Sequence, residues 1–166
     1  MKIEVKNLDD TKKLAEIFAD NLPKDGCFVS LYGDIGAGKS AFVRMVLKKL
    51  GVKEKITSPS FVILNEYKGA KFPIYHFDLY RLEKEGLKTI SHELMEYSKS
   101  GFLTFVEWAE FGADLLSYDR LNIKITYPQT LEYEENGDPR TFEFEPMGNL
   151  NKDFARKIIE EFEATK

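Results

Sequence analysis

Apolar residues recur along this chain in two rhythms, one helical and one alternating, and their order predicts an α/β arrangement. Behind Asp9 and Asp10, the positions Leu14, Ile17, Phe18 and Leu22 fall at helical spacing, so a first helix is expected from Asp9 or Asp10 to Asn21 with an acidic cap. CFVSLY (27–32) is a short apolar run of strand-favouring residues. A glycine-rich stretch follows, and then AFVRMVLKKL puts Phe42, Val43, Val46, Leu47 and Leu50 on one helical face before Gly51 stops the helix. After a turn at Ser58-Pro59, a strand is expected over 61–67; KGAK marks a turn and 72–78 returns, which predicts a hairpin. Within that second strand, alternation sets His76 and Asp78 on one face and Tyr75 and Phe77 on the other.

Residues 79–100 are charged with scattered apolar positions and are expected to be helical in pieces. FLTFVEW (102–108) is apolar until its acid, as a buried, parallel central strand would be. LNIKITY alternates cleanly and predicts a half-buried strand. LEYEE and RTFEFE alternate on either side of Asn136-Gly137-Asp138-Pro139, which predicts a second hairpin. From Asn151, Phe154, Ile158, Ile159 and Phe162 return at helical spacing, so a C-terminal helix over about 151–164 is expected to pack on the body. No repeat and no Pro/Gly/Ser linker breaks the chain, so 1–166 reads as one domain.

Composition narrows the partners. The formal net charge of −4 over 166 residues argues against an extended basic surface that grips RNA or DNA. One cysteine, Cys27, excludes an intramolecular disulfide and suits a reducing compartment; in a core strand it reads as a small buried hydrophobe. No apolar run approaches the roughly 18 residues that span a membrane, and MKIEVKNLDD lacks the apolar region of a secretion signal. The expected location is the cytoplasm.

The chemistry lies in GDIGAGKS, 33–40, which matches the phosphate-binding pattern G-x-x-x-x-G-K-[ST] without a gap. Gly33, Gly36 and Gly38 lack Cβ, so the backbone can turn sharply and bring its N–H groups against phosphate oxygens. Lys39 supplies charge to the β- and γ-phosphates, and the Ser40 hydroxyl can complete the shell of a Mg²⁺ ion. The helix that opens here turns its positive end to the same anion. Strand before and helix after give the motif its proper context, and the expected binding stretch runs through Gly33, Asp34, Gly36, Ala37, Gly38, Lys39, Ser40 and Ala41. The fold predicted is therefore a P-loop NTPase-like three-layer α/β sandwich, with a mixed, mostly parallel sheet carrying β-hairpins.

A Mg²⁺–nucleotide site also needs an acid at the carboxyl end of a strand beside the loop. Asp78 and Glu107 both end strands and are candidates. The order GDIGAGKS, SPSF, HFDLYRL, VEW, taken with these acids, resembles the bacterial TsaE (YjeE) family, small P-loop ATPases required for threonylcarbamoyladenosine in tRNA. The resemblance runs from about Thr11 to Gly148. It implies ATP and Mg²⁺ as cofactors, with Ser40 and Glu107 serving the metal, Asp78 as second acid, and Trp108 near the nucleotide. It further implies that His76, Asp78, Tyr80 and Arg81 form one element, and that Ser58, Pro59, Ser60 and Phe61 form a switch that senses the γ-phosphate. Thr11 and Arg140 resemble the positions that flank adenine. Ser40 and Ser60 stand where the family usually has Thr, keeping the hydroxyl but losing the methyl that limits rotamers.

The implied activity is attack of water on the γ-phosphate, with Lys39, Asp78 and Glu107 as the catalytic set. Arg44, Arg81 and Arg120 are available as internal charge stabilisers. By the same resemblance the partners are TsaD and TsaB, with tRNA engaged only through them. Two other readings share the loop: a small-molecule kinase, for which 79–100 offers the only room for a lid, and a nucleotide-gated binding module without turnover.

Overall fold

A computed structural model describes residues 1–56, 63–68, 71–82, 86–99, 101–128, 138–150 and 152–166, except for the side chains of Arg81 and residues 87–89. Seven strands form one sheet: β1 (Lys2–Val5), β2 (Gly26–Tyr32), β3 (Leu64–Lys68), β4 (Pro73–Asp78), β5 (Phe102–Glu107), β6 (Arg120–Thr126) and β7 (Arg140–Met147). Their order across the sheet is β1-β7-β6-β2-β5-β4-β3. The four inner strands β6, β2, β5 and β4 run parallel, and β7 and β3 run against them. β1 is antiparallel to β7, so it points the same way as the inner four.

Four helices complete the layers: α1 (Leu8–Asp20), α2 (Lys39–Lys49), α3 (Leu87–Glu96) and α4 (Lys152–Glu163). Alternation along the strands sorts them. Cys27, Val29 and Leu31 of β2, Leu103 and Phe105 of β5, and Ile74 of β4 share a core with Leu14, Phe18, Phe42, Val46, Phe154 and Ile158 from α1, α2 and α4. On the opposite face Phe28, Phe77 and Val106 pack with Leu94 of α3. Both faces of the inner strands are thus covered, which explains why β5 reads as a continuous apolar run. Burial holds the Cys27 thiol up to about 12, as a core hydrophobe requires.

The expected hairpin of β3 and β4 forms, with Leu64 opposite Phe77 and Lys68 opposite Pro73. Of the strand expected over 61–67, Phe61 and Val62 lie outside the described residues, as do the centre of KGAK and the segment Ser58, Pro59, Ser60. Residues 79–100 are helical in pieces: a 3₁₀ turn at Tyr80–Leu82 and then α3. The C-terminal helix packs on α1, with Phe154 against Phe18 at 5.6 Å between ring centres.

Two expectations need correction, and one strand was not foreseen. The cap of α1 is Asn7, not an aspartate: its side chain accepts the Asp10 N–H at 2.9 Å. RTFEFE does not depend on LEYEE for a partner. Both edges of β7 are taken, by β6 from Thr126 opposite Thr141 and by β1 from Val5 opposite Arg140, and 131–135 lie outside the described residues. Alternation fixes which face is buried but not which strand pairs. Finally, KIEV forms β1, where Ile3 and Val5 are buried; four residues are too short a window for the alternation to stand out.

Candidate functional site

The four parallel strands end at one rim, and β2 leads from there into the phosphate loop and α2. This is where open α/β sheets form crevices for ligands. A cleft of about 610 Å³ opens at this rim between the loop, the ends of β4 and β5, and the start of β7.

Backbone geometry makes the loop. Gly33 has φ +146°, and a Cβ there would lie 2.5 Å from the Ile125 carbonyl oxygen, so only glycine fits. Gly38, at φ +106°, is the N-cap of α2 in the left-handed region and hands its carbonyl to the Phe42 N–H at 2.9 Å. Gly36, Ala37, Gly38, Lys39, Ser40 and Ala41 all line the cleft. Gly33 and Asp34 serve it indirectly, since the Lys39 ammonium donates to both of their carbonyls, at 3.0 Å to that of Asp34.

The acids arrive by register. Ile74, His76 and Asp78 alternate onto the α2 side of β4, and Leu103, Phe105 and Glu107 onto the same side of β5. Parallel pairing sets Asp78 directly beside Glu107. Each is nearly covered, with Lys39 5%, Asp78 5%, Glu107 2% and His76 1% exposed. Ser40 Oγ donates to the Glu107 carboxylate, 2.8 Å from Oε1 and 3.0 Å from Oε2. His76 Nε2 lies 2.5 Å from Glu107 Oε2, and Nδ1 has no hydrogen-bond partner among the described residues. The tautomer protonated on Nε2 therefore matches, because it donates to the acid and leaves only an acceptor unpaired. Asp78 Oδ1 accepts the Tyr80 N–H at 3.0 Å, which closes the turn after β4.

Burial lowers the Lys39 pKa from the usual lysine value, and the carboxylates of Glu107, Glu110, Asp78 and Asp34 oppose that shift. Trp108 sits in the left-handed region at φ 55°, uncommon for a bulky residue and concentrated at functional sites. That turn carries its ring under the ammonium, 4.2 Å from Nζ to the ring centre. Tyr80 packs on the same ring at 4.9 Å.

The set thus holds two buried carboxylates, one buried ammonium and the half-buried Ser40 hydroxyl. Hard oxygen donors with surplus negative charge fit a Mg²⁺ ion. Among the described residues, no group of three or more His, Cys, Asp or Glu side chains forms a ready-made metal cage.

Of the residues named from sequence, Lys39, Ser40, Asp78, Glu107, Trp108 and Arg140 are brought to the one cleft. Thr11 is buried in α1 with its hydroxyl on the Asn7 carbonyl at 3.2 Å, and Leu8 is the residue of that helix on the cleft. Arg120 opens β6 at the far end of the sheet, bonded to Ser117 and Asn122, and Arg44 is exposed on α2. Ser58, Pro59, Ser60 and Phe61 lie outside the described residues, as does the side chain of Arg81. Sequence reasoning missed Tyr127, whose hydroxyl meets the Gly36 carbonyl at 2.5 Å; it lies beyond the end of β6 and no motif marks it.

The family described as "Threonylcarbamoyl adenosine biosynthesis protein TsaE" matches residues 5–135. The chain belongs to the TsaE family. A Bacillus subtilis (strain 168) protein named "tRNA threonylcarbamoyladenosine biosynthesis protein TsaE" is 33% identical over 149 residues, 90% of this chain and 87% of its own. A TsaE protein of Rickettsia felis is 38% identical over 120 residues, covering 72% of this chain and 68% of its own. The crystal structure of Bacillus subtilis YdiB superposes with a TM-score of 0.69 at 30% identity, over 99% of this chain and 95% of that one. The matched residues include every strand from β2 to β6, and with them the loop and both acid-bearing strands of this chain.

Proposed function

We propose that this protein binds Mg²⁺–ATP in the cleft, hydrolyses it, and thereby serves threonylcarbamoyladenosine formation in tRNA together with TsaD and TsaB, in the cytoplasm. The observation that carries the reading is the Ser40–Glu107 pair, 2.8 Å apart, beside Asp78 and below the Lys39 ammonium. The names of the family and of its relatives support the biosynthetic role.

In this reading Lys39 exchanges the Gly33 and Asp34 carbonyls for oxygens of the β- and γ-phosphates, while the amides that open α2 hold the same anion. Ser40, Glu107 and Asp78 would hold the metal ion. A Mg²⁺ ion held there would supply positive charge that offsets the negative charge of the phosphates. His76 fixes Glu107 in one orientation, so the carboxylate meets the Ser40 hydroxyl without reorganising. Trp108 shields Lys39 from water and strengthens its charge on the phosphates.

Among the described residues, Arg140 is the arginine lining the cleft, and its guanidinium is held by Ala37, Asp138 and Pro139. Hydrolysis by the protein alone is expected to be slow, with a partner adding positive charge to what the described residues supply. Ile63, the first described residue after 57–62, gives its carbonyl to the Asp78 N–H at 2.8 Å. Ile63, two positions beyond the expected switch, is thus bonded to the backbone of an acid of the site, which suits a report of nucleotide state to TsaD and TsaB.

The test is Mg²⁺-dependent phosphate release from ATP, alone and with the cognate TsaB–TsaD pair. Strong stimulation by the pair is expected. Stable ATP binding without any stimulation would contradict the role.

A further inference from the structure

The phosphate loop has three glycines at positive φ, Gly33, Gly36 and Gly38, so its own backbone leaves the heading of its amides weakly determined. Two side chains from the neighbouring strands restrict it. Tyr127 follows β6 and Arg140 opens β7, and the pairing of Thr126 with Thr141 sets them side by side. The Tyr127 hydroxyl donates to the Gly36 carbonyl at 2.5 Å, and Arg140 Nε donates to the next carbonyl, that of Ala37, at 3.0 Å.

The two side chains also hold each other. The guanidinium carbon stands 3.9 Å over the centre of the Tyr127 ring. Arg140 Nη1 donates to Asp138 Oδ1 at 2.5 Å and to the Pro139 carbonyl at 2.8 Å, and the Arg140 side chain is only 11% exposed. A planar guanidinium held at this many points has little freedom left.

All described peptide bonds are trans, and a trans peptide carries its C=O and N–H on opposite sides. Holding the Ala37 carbonyl therefore fixes the heading of the Gly38 N–H. Holding the Gly36 carbonyl fixes that of Ala37, whose N–H meets the Asp34 carbonyl at 3.0 Å. We propose that Tyr127 and Arg140 form a clamp that sets the aim of the phosphate-loop amides and so tunes nucleotide affinity. Both are positioning residues, acting on the ligand through the loop. The inference rests on the nucleotide reading above for its ligand, but the clamp itself can be measured without one.

The experiment compares wild type with Tyr127→Phe, which keeps the ring stack and loses the hydroxyl, and Arg140→Lys, which keeps the charge and loses the fork. Three readouts are taken: ADP affinity by calorimetry, amide hydrogen exchange at Ala37 and Gly38 without nucleotide, and melting temperature. Expected are about fivefold weaker ADP binding for Tyr127→Phe and about tenfold for Arg140→Lys, from the usual worth of one neutral or charged hydrogen bond. Ala37 exchange should quicken, because its N–H is the one held by the Asp34 carbonyl, while melting shifts little, and with ATP the loss should fall mainly in KM rather than kcat. Unchanged affinity together with unchanged exchange would overturn the clamp. If wild type binds no ADP, the nucleotide reading falls and amide exchange alone decides: faster exchange in the variants supports the clamp, and unchanged exchange overturns it.

Discussion

Two buried regions share the same face of the sheet and are built on opposite principles. Where α1 and α4 cross, Phe18 meets Phe42 at 5.5 Å and Phe154 at 5.6 Å, with Ile158 and Phe162 fully covered around them. At the first residue of α2 and the ends of β4 and β5, comparable burial encloses Lys39, His76, Asp78 and Glu107. The first region needs only shape and apolar area. In the second every buried charge must be paired, since an unpaired one costs several kcal/mol. That outlay contributes little to stability, and its presence at the strand ends marks the place where the fold serves chemistry.

The sharpest way to break the comparison is one truncation in each region. Phe18→Ala should destabilise the protein by about 3–5 kcal/mol, read from denaturant unfolding, while the folded fraction keeps its nucleotide affinity. Lys39→Ala should act mainly on binding: nucleotide affinity weakens about 100-fold, in line with about 1.5–3 kcal/mol for a charged contact, while stability falls less than in Phe18→Ala, because Glu107 and Asp78 lose the ammonium that faces them but Lys39 no longer has to be desolvated. Calorimetry and thermal melting separate the two outcomes. Asn7→Ala removes the cap of α1 and should cost about 1 kcal/mol with no change in affinity.

The smallest effect concerns Cys27, buried in the apolar region with its thiol held up to about 12. A thiol reagent at neutral pH should label it only at the rate of global unfolding. Because the folded value lies above the unfolded one, its stabilising share is complete below the ordinary thiol range and fades as pH rises towards 12. Rapid labelling of native protein would show that this part of the core opens locally.

Legibility in the sequence divides along the same line. The apolar region was readable from periodicity alone: Leu14, Phe18, Phe42, Val46 and Phe154 are all buried as their spacing requires. The phosphate loop was readable because its glycines and Lys39 recur at a fixed spacing. Alternation put His76 and Asp78 on one face. It could not reveal that β4 and β5 pair with Asp78 opposite Glu107, because register is a long-range property. For the same reason RTFEFE was assigned the wrong neighbour. Tyr127 was invisible: a tyrosine just past a strand reaches Gly36, 91 positions earlier, only once the chain between them has folded. Sequence reading favoured Asp9 or Asp10 over Asn7 as the cap because asparagine and aspartate cap equally well in isolation.

The central claim is that the Ser40–Glu107 pair is the metal end of an ATP-hydrolysing site. Its most direct test is Glu107→Gln, which keeps the shape and removes the charge. ATP affinity by calorimetry and Mg²⁺-dependent phosphate release with the TsaB–TsaD pair should be measured on the same preparation. The account predicts that binding survives within a few-fold while release falls by about 100-fold or more, as loss of a charge-stabilising group at a reacting centre requires. Release unchanged from wild type would remove Glu107 from the chemistry and contradict the site as described.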